Sequence, residues 1–192
     1  ERFPISMCDD MTPPMGSAFY IILKGDVMSV VNIEDTFVEM TELVLPSHSN
    51  NHGTAFGGQI AAWCDIAGAV SAQRFCRSPV VTVSMDQLHF LEPVRKGMVV
   101  ILRAKVNQAW NTSMEIGVRV EAEDPLSGNT VHCCSAYLTF VALDSFGRPK
   151  KIPTLNLSDR PEYQRQAQDA LIRKENRLRV KEERKRKHDG QL

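Results

Sequence analysis

One stretch of small and apolar residues limits the folds that this chain can adopt. Residues 46–58 form a polar loop rich in Asn, His and Gly, and residues 59–73 are mostly Ala, Ile, Val, Trp, Cys, Gly and Ser. The pattern predicts a helix that begins near Gly57 and Gly58 and is buried on nearly every side. This helix carries one carboxylate, Asp65, and an ionised carboxylate there is costly unless it is hydrogen-bonded or lies at a cavity.

One strand-like segment precedes the helix and four follow it. They are rich in β-branched and aromatic residues and cover residues 36–45, 80–90, 98–110, 113–123 and 130–143. The last four are separated by short connectors with turn residues, which predicts antiparallel neighbours, because a parallel pair needs a crossover of about a dozen residues. This order predicts an α+β fold with the helix packed on one face of a strongly curved antiparallel sheet.

Composition excludes several classes of protein. The chain has 192 residues, of which 43% are hydrophobic, and this suits one domain with extensions. Its 23 Lys and Arg balance 23 Asp and Glu, so no overall charge attracts nucleic acid or a membrane surface. No apolar run approaches the roughly 18 residues that span a bilayer, so no stable membrane anchor is predicted. Five cysteines without ligand spacing indicate buried thiols in a reducing, cytoplasmic compartment.

The glycines and the aspartate of the predicted helix are the strongest candidates for chemistry. Gly57 and Gly58 let backbone approach a ligand, and the free N–H groups of a first helical turn stabilise negative charge. Asp65 lies about 10 Å farther along the axis on the same face, at 1.5 Å per residue, so a second copy of the fold is expected to supply one of the two. Close packing by the glycines, and a structural Asp65 bonded to Thr82 or Ser84, are the alternatives.

These groups suit the hydrolysis of an activated acyl compound. A carboxylate can take a proton from water or attack the carbonyl carbon directly, while backbone N–H groups hold the oxyanion. A thioester fits better than an amide, because simple thiols have a pKa near 8.5 and leave without a strong general acid.

The histidines and cysteines are weaker candidates. His48 and His52 lack a third ligand at a suitable spacing, so no metal site is predicted. Cys64 has no companion histidine at a telling position and is interpreted as a small buried side chain. Cys133 and Cys134 are predicted to point to opposite faces of one strand.

Four segments in unbroken order from Phe37 to Pro153 resemble one known family. They are LPSHSNNHGTAFGGQIAAWCDIAGAVSA, VVTVSMDQLHFLEPVRKG, WNTSMEIGVRVEAED and AYLTFVALDSFGRPKKIP. Together they resemble the hotdog-fold acyl-CoA thioesterases, specifically the cytosolic acyl-CoA hydrolase branch with the bacterial YciA type and the animal two-hotdog enzymes. The resemblance implies hydrolysis of acyl-CoA to a free acid and CoA, with no cofactor besides the CoA of the substrate. It also implies a homodimer of hotdogs as the minimal unit, and often a hexamer of three such pairs.

The resemblance also implies site residues. Asp65 matches the family's helix carboxylate that acts as base or nucleophile, Gly57 and Gly58 match the glycines whose backbone polarises the thioester carbonyl, and Asn50 matches a loop asparagine. The CoA contacts would fall on two strand segments and the C-terminal helix, namely on Val83, Ser84, Met85, Thr112, Ser113, Met114, Arg173 and Lys174. The pocket is expected between subunits.

We therefore predict an N-terminal extension over residues 1–35, a hotdog domain over residues 36–153 and a basic helical tail over residues 154–192. Acidic residues are interleaved with the basic ones in the tail, which favours a solvated helix or a clamp on a small anion over a nucleic-acid site. A non-catalytic acyl-CoA sensor or scaffold remains the alternative function. A hotdog dehydratase is disfavoured, because the predicted helix carries no histidine.

Overall fold

A computed structural model describes residues 29–86 and 88–189, so residues 1–28 of the predicted extension lie outside the described part. Two of the elements are short 3-10 helices, Ile33–Thr36 and Pro46–His48. The others are β1 (Val30–Asn32), β2 (Val38–Leu43), α1 (Gly57–Cys76), β3 (Val80–Met85), β4 (Val99–Ala109), β5 (Ser113–Glu123), β6 (Thr130–Ala142), β7 (Thr154–Asn156) and α2 (Pro161–Asp189). No helix in the described ranges is long and apolar enough to cross a bilayer.

The main sheet has five antiparallel strands in the order β2-β4-β5-β6-β3, which confirms the predicted α+β class. The prediction that β3 and β4 are neighbours is wrong, since β3 pairs with β6 and β4 pairs with β2. The strand predicted over residues 80–90 ends at Met85, and the link to β4 therefore covers residues 86–98. A link of this length can cross the sheet, and β3 becomes an edge strand.

Helix α1 packs on one face of this sheet. Alternate side chains of the long strands point toward the helix, as expected for a half-buried sheet. Gly68 of α1 faces the sheet, and a Cβ atom there would be 3.1 Å from the Phe140 ring, so a larger side chain would push the helix outward. The core side chains contributed by the strands include Val100, Leu102, Val106, Ile116, Leu138 and Phe140, all fully buried.

The expectation that α1 is buried on nearly every side is not met within one chain. Ile60, Trp63 and Ala67 lie in the core, whereas Ile66 is 52% exposed and Val70 is 37% exposed. The physical reason is that five strands from a single chain cover only one side of the helix. An apolar stripe of α1 is left for another surface.

Helix α2 covers part of the opposite face of the sheet. Its residues Tyr163, Ala167 and Ala170 are buried against the rest of the chain, and its Arg173 pairs with Glu115 of β5. Residues 29–35 also belong to the packed unit, because β1 pairs in parallel with β7 and Ile33 is fully buried. Packing therefore continues across both predicted domain boundaries.

The predicted alternation of Cys133 and Cys134 is wrong. Both side chains are fully buried. The register between β5 and β6 shifts by one residue at this point. Val120 pairs with Cys134 and the next residue, Glu121, pairs with His132, so Cys133 has no partner on β5. A bulge of this kind inserts one residue and breaks the two-residue period, so neighbouring side chains can both turn inward.

Candidate active site

Asp65 lies where α1 meets the edge strand β3. Its side chain is partly buried, and its Oδ1 atom accepts a hydrogen bond of 2.6 Å from the Thr82 hydroxyl. The pairing of β3 with β6 shifts between Thr82 and Ser84, and such a bulge re-aims side chains locally. In the described part of the chain, Asp65 Oδ2 has no hydrogen-bond partner. The carboxylate is therefore oriented at one oxygen and available at the other.

The start of α1 offers two N–H groups to a ligand. The helix begins at Gly57 after Phe56, whose side chain makes no capping hydrogen bond. The Phe56 carbonyl accepts from Gln59 N–H at 2.8 Å, whereas the N–H groups of Gly57 and Gly58 have no acceptor among the described residues. A Cβ atom at Gly58 would overlap the ring of Phe56, so the exposed Phe56 side chain would have to move. Free N–H groups at a helix start stabilise negative charge.

Asn50 shapes the loop that leads into α1. Its Oδ1 atom accepts from the His52 N–H at 2.9 Å, and its Nδ2 group donates to the Thr54 hydroxyl at 2.9 Å. Gly53 has a φ of 75°, a left-handed conformation that glycine adopts readily. The asparagine is exposed, so its amide can exchange these partners for a ligand.

A cavity of about 880 Å³ lies between α2 and the ends of β3 and β6. We call it the α2 cavity. Three of the predicted CoA contacts line it, namely Ser84, Met85 and Arg173. The structure therefore brings together two segments of the sequence that are almost ninety residues apart.

Arg173 and Arg177 already have carboxylate partners in this cavity. Arg173 makes hydrogen bonds of 2.6 to 3.2 Å to both oxygens of Glu115, which is fully buried, and its guanidinium lies 3.7 Å from the centre of the Tyr137 ring. Arg177 pairs with Asp86, which directly follows β3. These two arginines hold α2 on the sheet.

Two other cations of the α2 cavity carry free charge. Lys181 and Arg184 line the cavity, and neither has a carboxylate partner in the described ranges. Lys174 does not line it, and its ammonium lies 4.4 Å from the centre of the Trp110 ring. Burial, with a smaller effect of Arg177, lowers the pKa of Lys174.

The remaining predicted CoA contacts lie elsewhere. Val83 is 55% exposed on the free edge of β3, and Met114 is entirely buried in the core. Ser113 pairs in register with Val141, which also faces Val81 near the start of β3, so this segment lies at the opposite end of β3 from Ser84. Thr112 accepts a hydrogen bond of 3.0 Å from the Ala142 N–H through its carbonyl. Within one chain, residues 112–114 do not line the α2 cavity.

A second cavity, of about 350 Å³, lies at the start of α1. We call it the α1 cavity. Its lining is mostly apolar and includes Gly57, Ile60, Phe90, Leu91 and Val94. Leu91 lines the α2 cavity as well, so the two cavities adjoin at this side chain.

The other titratable candidates have structural contacts. His48 accepts from the Leu45 N–H at 3.3 Å and packs edge-on against Trp63, with the ring centres 5.1 Å apart. A hydrogen bond with Cys134 and burial raise the pKa of the Cys64 thiol, which opposes a role as thiolate nucleophile. Within the described ranges, no three His, Cys, Asp or Glu residues converge on a position for a metal ion.

Thr82 is the site residue that sequence reasoning left out of the catalytic set. The sequence suggests it only as a partner that would make Asp65 structural. Its spacing of 17 residues from Asp65 carries no motif, and the contact follows from the pairing of β3 beside α1.

Comparison with known proteins identifies the family. The model of the Thioesterase superfamily matches residues 52–128. Acyl-coenzyme A thioesterase 11 of Mus musculus is 39% identical over 160 residues, which make up 81% of this chain and 26% of that protein. The uncharacterized acyl-CoA thioester hydrolase YkhA of Bacillus subtilis is 38% identical over 120 residues, or 62% of this chain and 70% of that protein. The chain thus spans about a quarter of the mouse relative.

Solved structures extend the similarity to three dimensions. The acyl-CoA hydrolase of Staphylococcus aureus, solved with butyryl coenzyme A, coenzyme A and coenzyme A disulfide, has a TM-score of 0.76 and 30% identity over 83% of this chain and 97% of that one. Alanine variants of this hydrolase at an asparagine, an aspartate and a threonine have also been solved; the aspartate follows the asparagine by 15 positions and precedes the threonine by 17.

A hexameric acyl-CoA thioesterase in its apo form has a TM-score of 0.75 and 34% identity over 79% of this chain and 96% of that one. This structure and the Bacillus subtilis relative are each matched over most of their own length at more than 30% identity. Both the fold and the family predicted from the sequence are confirmed: the chain belongs to the thioesterase superfamily, among the hotdog-fold acyl-CoA thioesterases.

Proposed function

We propose that this protein hydrolyses acyl-CoA thioesters to a free carboxylic acid and CoA. The observation that carries the proposal is the Asp65 carboxylate, which the Thr82 hydroxyl holds at 2.6 Å on a largely apolar helix. Asn50, Asp65 and Thr82 have the spacings of 15 and 17 residues found for the three positions substituted in the Staphylococcus aureus hydrolase. The names of the relatives support the same reaction.

In the proposed reaction, Asp65 either takes a proton from water as the water oxygen bonds to the carbonyl carbon, or attacks that carbon itself. The N–H groups of Gly57 and Gly58 stabilise the negative oxygen that forms. The C–S bond then breaks, and the CoA thiolate leaves and takes up a proton. When water is the nucleophile, the free acid forms in this step. When Asp65 is the nucleophile, the acyl group stays on the aspartate as an anhydride, and water then hydrolyses it to the free acid and restores the carboxylate. Asn50, beside the helix start, is positioned to orient the water or the carbonyl group.

A homodimer is the proposed minimal unit. Gly58 and Asp65 of one chain are about 10 Å apart along the helix, too far to act on one carbonyl group. Val81 and Val83 of the edge strand are 42% and 55% exposed, beside the apolar stripe of α1 that includes Ile66 and Val70. Pairing of two β3 edges covers these side chains and lets the helix start of one subunit act with the aspartate of the other.

We propose a trimer of such dimers as the complete assembly, because solved relatives are described as hexameric. A cytoplasmic location is proposed on the composition and on a mouse relative named cytosolic acyl coenzyme A thioester hydrolase.

The α2 cavity is the proposed binding site for the CoA moiety. Its free cations, Lys181 and Arg184, suit the phosphate groups, while Ser84 and Met85 line the opposite wall toward β3. Phosphate contacts by Arg173 and Lys174 stay a prediction; Arg173 pairs with Glu115, and the Lys174 ammonium lies over the Trp110 ring.

The decisive experiment is the substitution Asp65→Asn, which keeps the size of the side chain and an acceptor for Thr82. We expect kcat for acyl-CoA hydrolysis to fall about a hundredfold or more, the contribution of a positioned acid or base. The measurement is thiol release across short to long acyl-CoAs, with Asp159→Asn at an exposed position as the matched control. A folded Asp65→Asn variant with wild-type hydrolysis would refute the catalytic role.

The hydrogen bond from Thr82 to Asp65 also favours a second function, a non-catalytic acyl-CoA sensor in which the aspartate is structural. Such a protein would gain thermal stability from CoA esters, because ligand bound only to the native state stabilises it, yet it would release no thiol. The same thiol-release assay, run beside a thermal-shift titration, separates the two functions.

A further inference from the structure

The segment that follows β3 lies across the start of α1. Phe90 is 48% exposed, and its ring lies 3.3 Å from the position that a Cβ atom on Gly57 would occupy. The adjacent Leu91 is 63% exposed, while its N–H group donates a hydrogen bond of 2.8 Å to the Cys133 carbonyl. The backbone is thus tied to β6, and the two apolar side chains stand over the helix start.

These two side chains occupy different places in the proposed path of the substrate. Leu91 borders both cavities, so a ligand that passes from the basic α2 cavity to the apolar α1 cavity passes over it. Phe90 lines only the α1 cavity. A CoA moiety held by Lys181 and Arg184 would place its pantetheine arm toward Leu91 and its thioester near the N–H of Gly57.

Core residues form the inner wall of the α1 cavity. Ile60 and Val94 are 1% and 4% exposed and belong to the hydrophobic core. The Val94 carbonyl accepts a hydrogen bond of 2.7 Å from Ala55, which fixes this wall to the loop before α1. At about 350 Å³ the cavity is near the lower end of the range for ligand pockets. A longer acyl chain gains no room at this wall, whereas the half-exposed Phe90 side chain can move aside.

We infer that Phe90 sets the acyl-chain length that this enzyme accepts and that Leu91 guides the pantetheine arm, which together select short acyl-CoA substrates. The inference rests on the proposed function and assigns the acyl group to the α1 cavity. Three observations support it: Phe90 contacts Gly57, Leu91 lines both cavities, and core residues form the inner wall of the α1 cavity.

The test compares kcat/KM across acyl-CoAs from acetyl to palmitoyl for two opposite substitutions. Phe90→Ala is expected to move the maximum to longer chains and to raise kcat/KM for them about tenfold, since one methylene in an apolar pocket changes discrimination by this order. Phe90→Trp is expected to move the maximum toward acetyl. Phe146→Ala, at an 80% exposed phenylalanine in the turn after β6, is the matched control and should leave the profile unchanged.

The inference would be overturned if both Phe90 variants kept the wild-type dependence of kcat/KM on acyl-chain length, even if kcat/KM changed equally for all chains. Absence of acyl-CoA hydrolysis by the wild-type protein is a different result, because it contradicts the proposed function. In that case the chain-length series is repeated by calorimetric binding with non-hydrolysable acyl-CoA thioethers. The inference then requires the Kd values of Phe90→Ala and Phe90→Trp to shift in opposite directions with chain length.

Discussion

At the residue scale, the pairing of each charged side chain decides what it can do. Asp65, Arg173 and Lys174 are all charged residues that the sequence analysis names as site candidates. Among the described residues, one oxygen of Asp65 has no hydrogen-bond partner, while Arg173 is bound to buried Glu115 and Lys174 lies over Trp110. A cation with a carboxylate partner offers little net charge to a substrate phosphate, so availability is a better guide to function than charge.

The free cations of the α2 cavity give a prediction at this scale. We expect the double variant Lys181→Ala, Arg184→Ala to raise KM for acyl-CoA at least tenfold with little change in kcat, because a charged hydrogen bond to phosphate contributes about 1.5 to 3 kcal/mol and binds ground state and transition state alike. The penalty should vanish with acyl-pantetheine, which lacks the phosphates. Steady-state kinetics on both substrates provides the measurement.

The matched control for this pair is Lys185→Ala, Arg186→Ala. These neighbours on α2 are exposed and do not line the cavity. An equal rise in KM for both double variants, or an equal penalty with acyl-pantetheine, would count against phosphate binding by Lys181 and Arg184.

At the scale of elements, α2 is held on the sheet by a buried ion pair as well as by apolar contacts. Glu115 has no exposed side-chain surface and Arg173 retains 22%. Asn107 adds a hydrogen bond of 3.3 Å to Glu115, and the guanidinium of Arg173 stacks on Tyr137. A pair of this kind contributes little net free energy, yet loss of one partner leaves a buried charge.

We therefore expect Arg173→Ala to lower the free energy of unfolding by about 3 kcal/mol, the usual cost of breaking a buried pair. Lys174→Ala, which removes the contact with Trp110, should cost about 1 kcal/mol or less. The double variant Glu115→Met, Arg173→Met should recover most of the stability lost in Arg173→Ala. Urea unfolding measures all three, and a selective loss of acyl-CoA affinity in a fully stable Arg173→Ala protein would contradict the structural role.

At the scale of the whole molecule, the exposed edge of β3 is the proposed contact between subunits. Natural edge strands are protected against further pairing, whereas β3 presents Val81, Val83 and Met85 with exposures of 42%, 55% and 37%. Because Thr82 lies on the same strand and bonds to Asp65, an interface at β3 is also next to the site.

Val83→Glu is expected to shift the protein toward monomer and to reduce hydrolysis at least tenfold, because two carboxylates would face each other across the paired edges. Sedimentation velocity gives the mass, and thiol release gives the activity. Leu126→Glu, at a leucine that is 96% exposed in the turn between β5 and β6, serves as the control and should retain both. A monomeric Val83→Glu protein with full activity would show that one chain contains the complete site.

Much of this protein could be predicted from the sequence, and the failures have physical causes. The strand over residues 113–123 and the start of α1 at Gly57 agree with the structure, because periodicity and glycine placement are local signals. The position of β3 was missed, since its pairing with β6 depends on contacts almost sixty residues apart. The two inward cysteines were missed because a bulge leaves no trace in the pattern of residue types.

The sequence by itself determined the α+β fold through the order of its strands and helix, and the family through the resemblance of four segments. It also determined the candidate pair of Asp65 with the Gly57 and Gly58 helix start, because spacing along one helix suffices for that. Tertiary structure alone decided which cations are free, since Glu115 and Asp86 reach α2 only after the sheet has formed. It likewise decided that Thr82 bonds to Asp65 and that Phe90 lies over Gly57. Those contacts join segments that are distant in the chain, and only packing brings such segments together.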